Sequence, residues 1–262
     1  MKVSVIISTY NNPAYLKKVL DGFVCQIKAP DEIIIADDGS GRDTGELIQK
    51  SSALFNFPLR HIWQENKGFR AAKIRNRGIA GSLGDYIILL DGDCVVNRNF
   101  VSDHLSLAEK GCFIQGKRVL VNKNAMELFN YHHANSFLAL WKMALIGTLS
   151  NVHHLIRLPN ALSIRNKKLA GIKSCNMSFF KSDIIAVNGF NENYVGWGNE
   201  DSDLACRFIK YGLIKKTSPF MAVCFHLWHP TNKAAGGLNK KLLDDTISSD
   251  EYFCKNGILK KN

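Results

Sequence analysis

The most chemically loaded segment of the sequence is NYVGWGNEDSDLACRF, which runs from Asn193 to Phe208. It places the carboxylates of Glu200, Asp201 and Asp203 directly after a tryptophan that stands between two glycines. Carboxylates accept protons and bind hard cations, so the segment is a candidate for chemistry. Acidic residues are also favoured in the first turn of a helix, where they would only stabilise the helix start. The segment taken alone leaves both interpretations open.

A second pair of carboxylates, Asp91 and Asp93, ends the apolar run of LLDGDCVV. If the strand continued, residues two apart would point to the same side of the sheet. Two carboxylates at a strand end suit Mg²⁺ or Mn²⁺, which keep open positions for substrate phosphates. Asp-Gly is also a strong turn dipeptide, and a simple turn is the alternative. The apolar strand before the pair, and the acids that end the preceding predicted strand, favour a metal site.

Two histidines in HLWHP, His226 and His229, follow the last apolar run. Neutral imidazole is a good ligand for Mn²⁺ or Zn²⁺. On a continuing strand, a spacing of three would point the rings to opposite faces, so both can ligate only if the chain turns. Pro230 makes such a turn plausible. One packed and one solvated histidine is the simpler interpretation for at least one of the pair.

The segment NKGFRAAKIRNRGIAGS predicts a helix with a basic face, because Arg70, Lys73 and Arg77 share one side. A basic helix start suits a diphosphate, although most basic helix faces are merely solvated. The sequence contains no G-x-x-x-x-G-K-[ST], and no G-x-G-x-x-G follows the first predicted strand. Kinase-like and dinucleotide-dependent functions are therefore disfavoured.

The first 120 residues alternate apolar runs with amphipathic segments. The runs KVSVIIST, DEIIIADDGS and DYIILLDGDCVV predict strands, and PAYLKKVLDGFVCQ, TGELIQKSSALF and the basic segment predict helices. This alternation predicts an α/β fold with a mostly parallel central sheet and helices on both faces. Ligands of such sheets bind beyond the carboxyl ends of the strands. Polar residues collect at those ends: Thr9, Tyr10, Asn11, Asp37, Asp38, Asp91 and Asp93.

The pattern loosens in the second half of the chain. Residues 124–170 look helical and irregular, DSDLACRFIKYG predicts a helix, and FMAVCFHLWHP predicts a final strand. Residues 231–262 form a basic tail that we expect to pack poorly. The longest apolar run, FLALWKMALIGTL, is too short for a bilayer core of about 30 Å.

The composition limits the partners and the compartment. The 262 residues carry 34 Lys and Arg against 23 Asp and Glu, a formal net charge of +11. This excess predicts an anionic partner: nucleic acid, a membrane surface or a phosphorylated substrate. The 7 cysteines contain no C-x-x-C pair, which disfavours a disulfide framework and fits a reducing compartment. With no signal peptide recognised, we expect a cytoplasmic protein.

Taken together, the segments VIISTYNN, IIIADDGS, NKGFRAAKIRNRGI, LLDGDCVV and NEDSDLACRF resemble the motifs of inverting GT-A glycosyltransferases of the family-2 type. The resemblance covers nearly the whole chain to about residue 230, and GFNENYVGWGNEDSDLACRF also looks like a motif of the β-1,4-galactosyltransferases. It implies a GT-A (Rossmann-like) fold, a UDP-sugar donor, and Mn²⁺ or Mg²⁺. It also implies transfer of a hexose or N-acetylhexosamine to a hydroxyl of a glycan or lipid-linked glycan, in bacterial-type surface polysaccharide or lipopolysaccharide synthesis.

The resemblance further implies one glycosyltransferase domain over residues 1–230, followed by the tail of residues 231–262. Residues 1–120 would bind the nucleotide sugar. Residues 121–230 would supply the acceptor and catalytic half, with the helical insert of residues 124–170 near the acceptor.

Roles on the donor side follow from matched positions. Thr9, Tyr10 and Asn11 would line the nucleoside pocket, and Asp38 would accept a hydrogen bond from the uracil N3–H. Arg70 matches an arginine that faces the donor phosphates or the uracil.

Roles at the metal follow in the same way. Asp91 would contact the ribose or the metal, and Asp93 and His229 would bind the metal directly. His226 is a further metal ligand in this scheme, although it stands where the animal galactosyltransferases have methionine.

In the acidic block, Asp201 is the matched general base, which takes the proton of the acceptor hydroxyl. Glu200 would hydrogen-bond donor or acceptor hydroxyls, and Trp197 would offer a flat face to a sugar ring. The galactosyltransferase pattern has glycine at Asn199 and an acid at Ser202, and both departures bear on the choice of donor sugar.

Two other functions compete with this one. A sugar-nucleotide nucleotidyltransferase also joins an α/β sheet to paired acids, but STYNNPAYL lacks the glycine-rich basic loop that such enzymes carry. A non-catalytic module for sugar or nucleic acid has only the basic charge in its favour, so we expect no nucleic-acid partner. We also expect the insert of residues 124–170, besides covering the acceptor site, to approach a membrane, giving a peripheral protein on its inner face; an ordinary buried helix beside a solvated basic surface is the alternative.

Overall fold

The computed structural model of the chain describes residues 1–159, 162–230 and 236–260. The strands are β1 (Val3–Thr9), β2 (Glu32–Asp37), β3 (Leu59–Trp63), β4 (Tyr86–Asp91), β5 (Cys94–Val96), β6 (Cys112–Gln115), β7 (Lys117–Val121), β8 (Leu149–Ser150), β9 (Ile164–Asn166), β10 (Asn176–Phe180), β11 (Ile214–Thr217) and β12 (Val223–Leu227). The helices are α1 (Pro13–Val24), α2 (Arg42–Ser51), α3 (Ala71–Gly81), α4 (Phe100–Leu107), α5 (Tyr131–Ala134), α6 (Phe137–Leu145), α7 (Lys181–Ala186), α8 (Glu200–Lys210) and α9 (Gly236–Ser248).

An eight-stranded sheet in the order β3-β2-β1-β4-β10-β6-β11-β9 forms the centre of the fold. Strands β3, β2, β1 and β4 are mutually parallel, and β10 and β9 run antiparallel to their neighbours. Helices α1, α2 and α4 pack on one face, and α3, α7 and α8 pack on the other. The expected mostly parallel sheet with helices on both faces is therefore confirmed.

Burial on both faces explains the continuous apolar runs of the parallel strands. In β1, Val5 and Ile7 point towards α1 and α4, whereas Ile6 points towards α3, and all three are almost completely buried. A polar side chain inside such a strand would lose water without gaining a partner. In β1, β2 and β4 the polar residues therefore lie near the strand ends.

The carboxyl ends of β2, β1 and β4 lie side by side. Thr9 pairs with Asp37, and Ser8 pairs with Asp91. The Asp-Gly turn follows at once, because β4 ends at Asp91 and β5 begins at Cys94. The Gly92 amide donates to Ser8 O at 2.8 Å, and a Cβ on Gly92 would lie only 3.0 Å from that oxygen. Glycine therefore lets the turn lie flat against β1.

A second sheet, in the order β5-β12-β7-β8, stands beyond this turn. Strand β12 pairs antiparallel with β5 and parallel with β7, so His226 lies opposite both Cys94 and Leu120. The insert predicted over residues 124–170 contains α5, α6, β8 and β9, and packs through Phe129 and Leu140 on this sheet. Residues 160–161 of the insert lie outside the described residues.

The carboxyl-terminal segment packs on the body of the protein, so the expectation of a poorly packed tail is wrong for residues 236–260. Thr246 Oγ1 of α9 donates to the buried Asp203 Oδ1 at 2.6 Å. Asn188 Nδ2 donates to Cys254 O at 2.6 Å, and the Leu259 amide donates to Asn188 Oδ1 at 2.7 Å. Buried polar groups elsewhere in the chain need these partners, which net charge does not reveal. Residues 231–235 and 261–262 of the predicted tail lie outside the described residues.

Within the described ranges, no helix is both long enough and apolar enough to cross a bilayer.

Candidate active site

Asp93, His226 and His229 converge beside the turn that follows β4. His229 Nε2 lies 3.0 Å from Asp93 Oδ2, and His226 Nε2 lies 3.6 Å from the same oxygen. One ligand atom from each residue lies within 4.8 Å of the others, a spacing that could hold a metal ion. Strand β12 ends at Leu227, so the chain leaves the sheet between the two histidines. That exit is why a spacing of three still brings both rings to one place.

The two histidines differ in charge. Burial lowers the pKa of His226 below its ordinary value, so this ring is neutral at pH 7 and has a lone pair available for a metal. The hydrogen bond with Asp93 raises the pKa of His229 to about 9. Burial opposes the charged form of Asp93, but His229 and His226 outweigh it and hold the pKa of that carboxyl below its usual value. Without a metal, Asp93 and His229 therefore form an ion pair.

A buried arginine, Arg75, connects this group to the acidic block. Its Nη2 donates to Asp91 Oδ1 and its Nη1 donates to Glu200 Oε1, each at 3.0 Å. Ser8 Oγ donates to the same Asp91 oxygen at 2.7 Å. Burial alone would lower the pKa of Arg75, but the charges of Asp91 and Glu200 outweigh it and raise that pKa. Burial raises the pKa of Glu200, and Arg75 opposes that rise.

The loop before α8 has a backbone that ordinary side chains avoid. Gly198 has φ of 103° and Asn199 has φ of 74°, both in the left-handed region. The Gly196 amide donates to Phe69 O at 2.9 Å, which ties the loop to the segment before α3. Trp197 is 48% exposed, so its indole face is open to solvent.

The three acids of the block have different surroundings. Glu200 is bound to Arg75, whereas Asp201 is partly exposed and accepts a hydrogen bond from the Ser202 amide at 2.8 Å. Asp203 is fully buried and pairs with Arg207, whose Nη2 lies 2.7 Å from Asp203 Oδ2. Asp203 therefore does more than orient the helix start. It pairs with Arg207 one turn further along α8, and it accepts a hydrogen bond from Thr246 of α9.

The predicted nucleoside-binding residues cluster at the ends of β1 and β2. The Asp38 amide donates to Thr9 O at 3.0 Å, and the Gly41 amide donates to Asn11 Oδ1 at 2.9 Å. The Tyr10 ring is 45% exposed, and its hydroxyl accepts from Asn66 Nδ2 at 2.9 Å. These residues line one continuous edge of the sheet.

Asp38 and Arg70 meet through the backbone. The Arg70 amide donates to Asp38 Oδ2 at 2.6 Å, and Gln64 Nε2 donates to Asp38 Oδ1 at 2.5 Å. Burial raises the pKa of Asp38, although both hydrogen bonds oppose the rise. Arg70 flanks α3 as its N-terminal cap position, one residue before the helix begins at Ala71.

Arg75 is the residue that the motif comparison overlooked. The helical face chosen from the sequence was that of Arg70, Lys73 and Arg77, whereas α3 buries its other side. Arg75 is surrounded in helical spacing by Ala71, Gly78 and Ile79, which are all apolar or small. A cation on the apolar face of a helix must have a buried acid as its partner, and that signal was available.

Comparison with known families agrees with the motifs. The model of Glycosyl transferase family 2 matches residues 4–181, which is more than half of the chain. A second model, the N-terminal domain of galactosyltransferase, matches residues 159–230. The chain is 26% identical over 229 residues to a hyaluronan synthase of Pasteurella multocida, a match that covers 82% of this chain and 23% of that protein.

Two solved structures share the fold. The S. aureus TarS 1-349 structure in complex with UDP-GlcNAc superposes with a TM-score of 0.67 at 15% identity, covering 94% of this chain and 66% of that one. The mannosyltransferase PcManGT of Pyrobaculum calidifontis, in complex with GDP-Man and Mn²⁺, gives 0.60 at 16% identity, covering 89% and 58%. This likeness confirms the expected GT-A fold. The chain spans less than two thirds of each of these three proteins.

Replacing Arg75 should cost more stability than replacing the half-buried Lys73 of the same helix. Arg75→Met would leave the buried Glu200 and the half-buried Asp91 without their partner, and we expect a loss of about 3–5 kcal/mol in the free energy of unfolding. Arg75→Lys should recover only part of it, because one ammonium cannot bridge both carboxylates in the planar geometry of a guanidinium. Urea denaturation measures both. Lys73→Met is the matched control, and an Arg75→Met protein as stable as that control would refute the bridging role.

Proposed function

The chain belongs to glycosyl transferase family 2, and we propose that it moves a hexose or N-acetylhexosamine from a UDP-sugar to a hydroxyl group of a glycan, with inversion at the anomeric carbon. The observation that carries the proposal is that a metal-binding trio lies beside Asp91, which Arg75 joins to Glu200 at the acidic start of α8. Donor phosphates and acceptor hydroxyl would meet between these two groups.

The trio fits a divalent ion such as Mn²⁺ or Mg²⁺. One carboxylate and two imidazoles are a donor set that Mn²⁺ accepts, and His226 is already neutral. When bound, the ion would stabilise the negative charge that develops on the diphosphate leaving group. Asp93, His226 and His229 would hold it, and the His229 proton would leave on binding. The PcManGT complex contains Mn²⁺, which supports a metal here.

Asp201 is the proposed general base. It is partly exposed at the first turn of α8, whereas Glu200 and Asp203 are each occupied by an arginine. As the acceptor oxygen attacks C1 of the donor sugar, Asp201 takes its proton. The bond from C1 to the diphosphate oxygen breaks, and its electron pair leaves on UDP. Attack from the face opposite the leaving group inverts the anomeric carbon.

The remaining site residues would bind and orient the substrates. Glu200 would hydrogen-bond sugar hydroxyls, and the exposed indole of Trp197 would pack on a sugar ring. Thr9, Tyr10 and Asn11 would line the nucleoside pocket.

Asp38, Arg70 and Asp91 complete the proposed donor site. Asp38 already accepts two protein hydrogen bonds, but a carboxylate has about four lone-pair positions, so it can also accept from the uracil N3–H. Arg70 would approach the uracil or the phosphates, and Asp91 the ribose or the metal. TarS binds UDP-GlcNAc on this fold, which supports a uridine donor.

The domain limits and the pathway are part of the proposal. Residues 1–230 would form one transferase domain, with residues 1–120 for the donor and residues 121–230 for the acceptor. The similarity to a hyaluronan synthase supports polysaccharide synthesis. The proposed acceptors include lipopolysaccharide-like and lipid-linked glycans, because these also offer a sugar hydroxyl group.

Calorimetric titration tests the donor and the metal together. UDP should bind in the presence of Mn²⁺ and lose its affinity in EDTA, because the ion joins the diphosphate to Asp93 and the histidines. Asp93→Asn removes the charged ligand and should weaken the Mn²⁺-dependent binding by more than about tenfold. GDP serves as the nucleotide control. Equal binding of UDP with and without the metal would remove the metal from the proposal, and no binding of UDP would remove the donor.

Replacement of the proposed base separates chemistry from binding. Asp201→Asn keeps the size of the side chain but cannot take a proton, so kcat should fall on the order of 10²–10⁴-fold. Binding of UDP and Mn²⁺ should be unchanged. Ser202→Ala, at the next position, should retain most of the activity. An Asp201→Asn enzyme with near-normal kcat would assign the proton transfer to another group.

We further propose that α6 rests on an anionic membrane surface, as a peripheral contact on the cytoplasmic side. The helix exposes Phe137, Leu138, Trp141 and, at its end, Leu145 and Ile146, each more than half exposed. Lys142 lies among them, and the chain carries a net charge of +11. Apolar insertion together with attraction to acidic headgroups is the usual basis of interfacial binding.

Sedimentation with phosphatidylglycerol vesicles at low salt tests this contact. Leu138→Ser with Ile146→Ser should reduce the bound fraction severalfold, because less apolar surface then enters the interface. Leu54→Ser with Leu83→Ser, two exposed leucines on other surfaces, is the matched control and should not. Equal binding to uncharged phosphatidylcholine, or no binding at all, would contradict the proposal.

A further inference from the structure

A pocket of about 260 Å³ opens where β6 passes into β7 and where β10 begins. Its lining includes Lys117, Arg118 and Lys173, together with His154 and Asn176. In the strand order, β10 and β6 lie on the far side of β4 from β1 and β2, which carry the proposed nucleoside residues. The pocket is therefore separate from the proposed nucleoside-binding residues.

The cations of this pocket have no carboxylate partner. Among the described residues, no Asp or Glu oxygen lies within 4.0 Å of Lys117, Arg118 or Lys173. Burial lowers the pKa of Lys117, and no acid counteracts it. Burial also lowers the pKa of His154, and the nearby charges of His153 and Lys117 add to this. Positive charge collected in a half-buried pocket without acids attracts an anion.

The backbone around these cations is held in place by side-chain amides. Asn176 Nδ2 donates to Lys117 O, and Gln115 Nε2 donates to Lys173 O, at 2.8 and 3.1 Å. Gly116, between β6 and β7, passes so close to Asn176 that a Cβ there would lie 2.3 Å from its side-chain oxygen. These contacts fix where the half-buried Lys117 and the exposed Lys173 leave the backbone, so the two side chains start from a rigid frame.

The pocket adjoins the metal-binding trio. Strands β7 and β12 run parallel, and Arg118 of β7 pairs with Cys224 of β12. Two residues further along both strands, Leu120 pairs with His226. Two residues along a strand span about 6–7 Å. The Arg118 guanidinium also contacts Cys175 Sγ at 3.9 Å. A group bound at Arg118 would therefore lie close to the metal-binding trio.

We propose that this pocket binds an anionic group, a carboxylate or a phosphate, that is carried by the acceptor glycan next to the hydroxyl that is glycosylated. The inference rests on the proposed function for the identity of the acceptor, but the anion site itself does not depend on it. Charge-assisted hydrogen bonds from two lysines and one arginine are the interactions that recognise such groups.

Isothermal titration at low ionic strength tests the site on the full chain. Glucuronate and glucose 6-phosphate are the anionic probes, and glucose is the uncharged control. Each is titrated in the presence of UDP and Mn²⁺ and again without them. We expect binding of at least one anionic probe, and the stronger of the two identifies carboxylate or phosphate as the natural group. Equal binding of glucose, or binding of no probe, would overturn the proposal.

A double variant locates the binding. The double variant Lys117→Gln with Lys173→Gln should lower the affinity for the anionic probe on the order of tenfold or more. Lys28→Gln with Lys50→Gln removes the same charge from exposed positions elsewhere and should have little effect. If the pocket variant instead loses affinity for UDP, the pocket serves the donor diphosphate and the inference is wrong. If UDP fails to bind the wild type while the probes bind at Lys117 and Lys173, the donor proposal fails and the anion site stands.

Discussion

The buried guanidinium of Arg75 is the interaction on which the arrangement of the site depends. A full positive charge inside the protein is costly unless acids surround it, and Asp91 and Glu200 supply two. One comes from the end of β4 and the other from the start of α8, so the ion pairs join elements more than a hundred residues apart. This explains why a chain with net charge +11 gathers carboxylates at residues 200–203. Glu200 satisfies the buried Arg75 and Asp203 satisfies the buried Arg207, in addition to the helix start.

The same interaction fixes the position of the metal-binding trio. Asp91 is held by Arg75 and Ser8, and Asp93 follows it by two residues across a turn pressed against β1 at Gly92. Movement of α8 would therefore disturb Asp91 first and Asp93 next. The candidate base and the candidate metal ligands share one rigid support, which is what a transfer reaction between two bound substrates requires.

The sequence predicted the parts of this structure that depend on local pattern. Parallel strands covered on both faces must be apolar throughout, so β1, β2 and β4 stood out, and the polar residues at their ends marked the site edge. The convergence of Asp93, His226 and His229 was predictable only with the motif resemblance, since strand alternation alone separates the two rings. Long-range pairing was not predictable: the antiparallel β10, the second sheet and the packing of α9 depend on contacts between distant residues. Arg75 belongs to that class, because its partners lie 16 and 125 positions away.

The electrostatics of the two sides of β4 differ in a way that bears on substrate orientation. On the side of β1 and β2, Asp37 and Asp38 are buried acids, each held by several hydrogen bonds. On the side of β10 and β6, Lys117, Arg118 and Lys173 are cations without acids. The buried acids on the first side suit the N–H donors of a neutral base, and the cations on the second side attract an anion. A nucleoside on the first side would donate hydrogen bonds to the acids, and a charged sugar on the second side would bind the cations. If the two were exchanged, both would lose these interactions. These surroundings favour the nucleoside at one end of the site and a charged sugar group at the other, before any sugar hydroxyl is recognised.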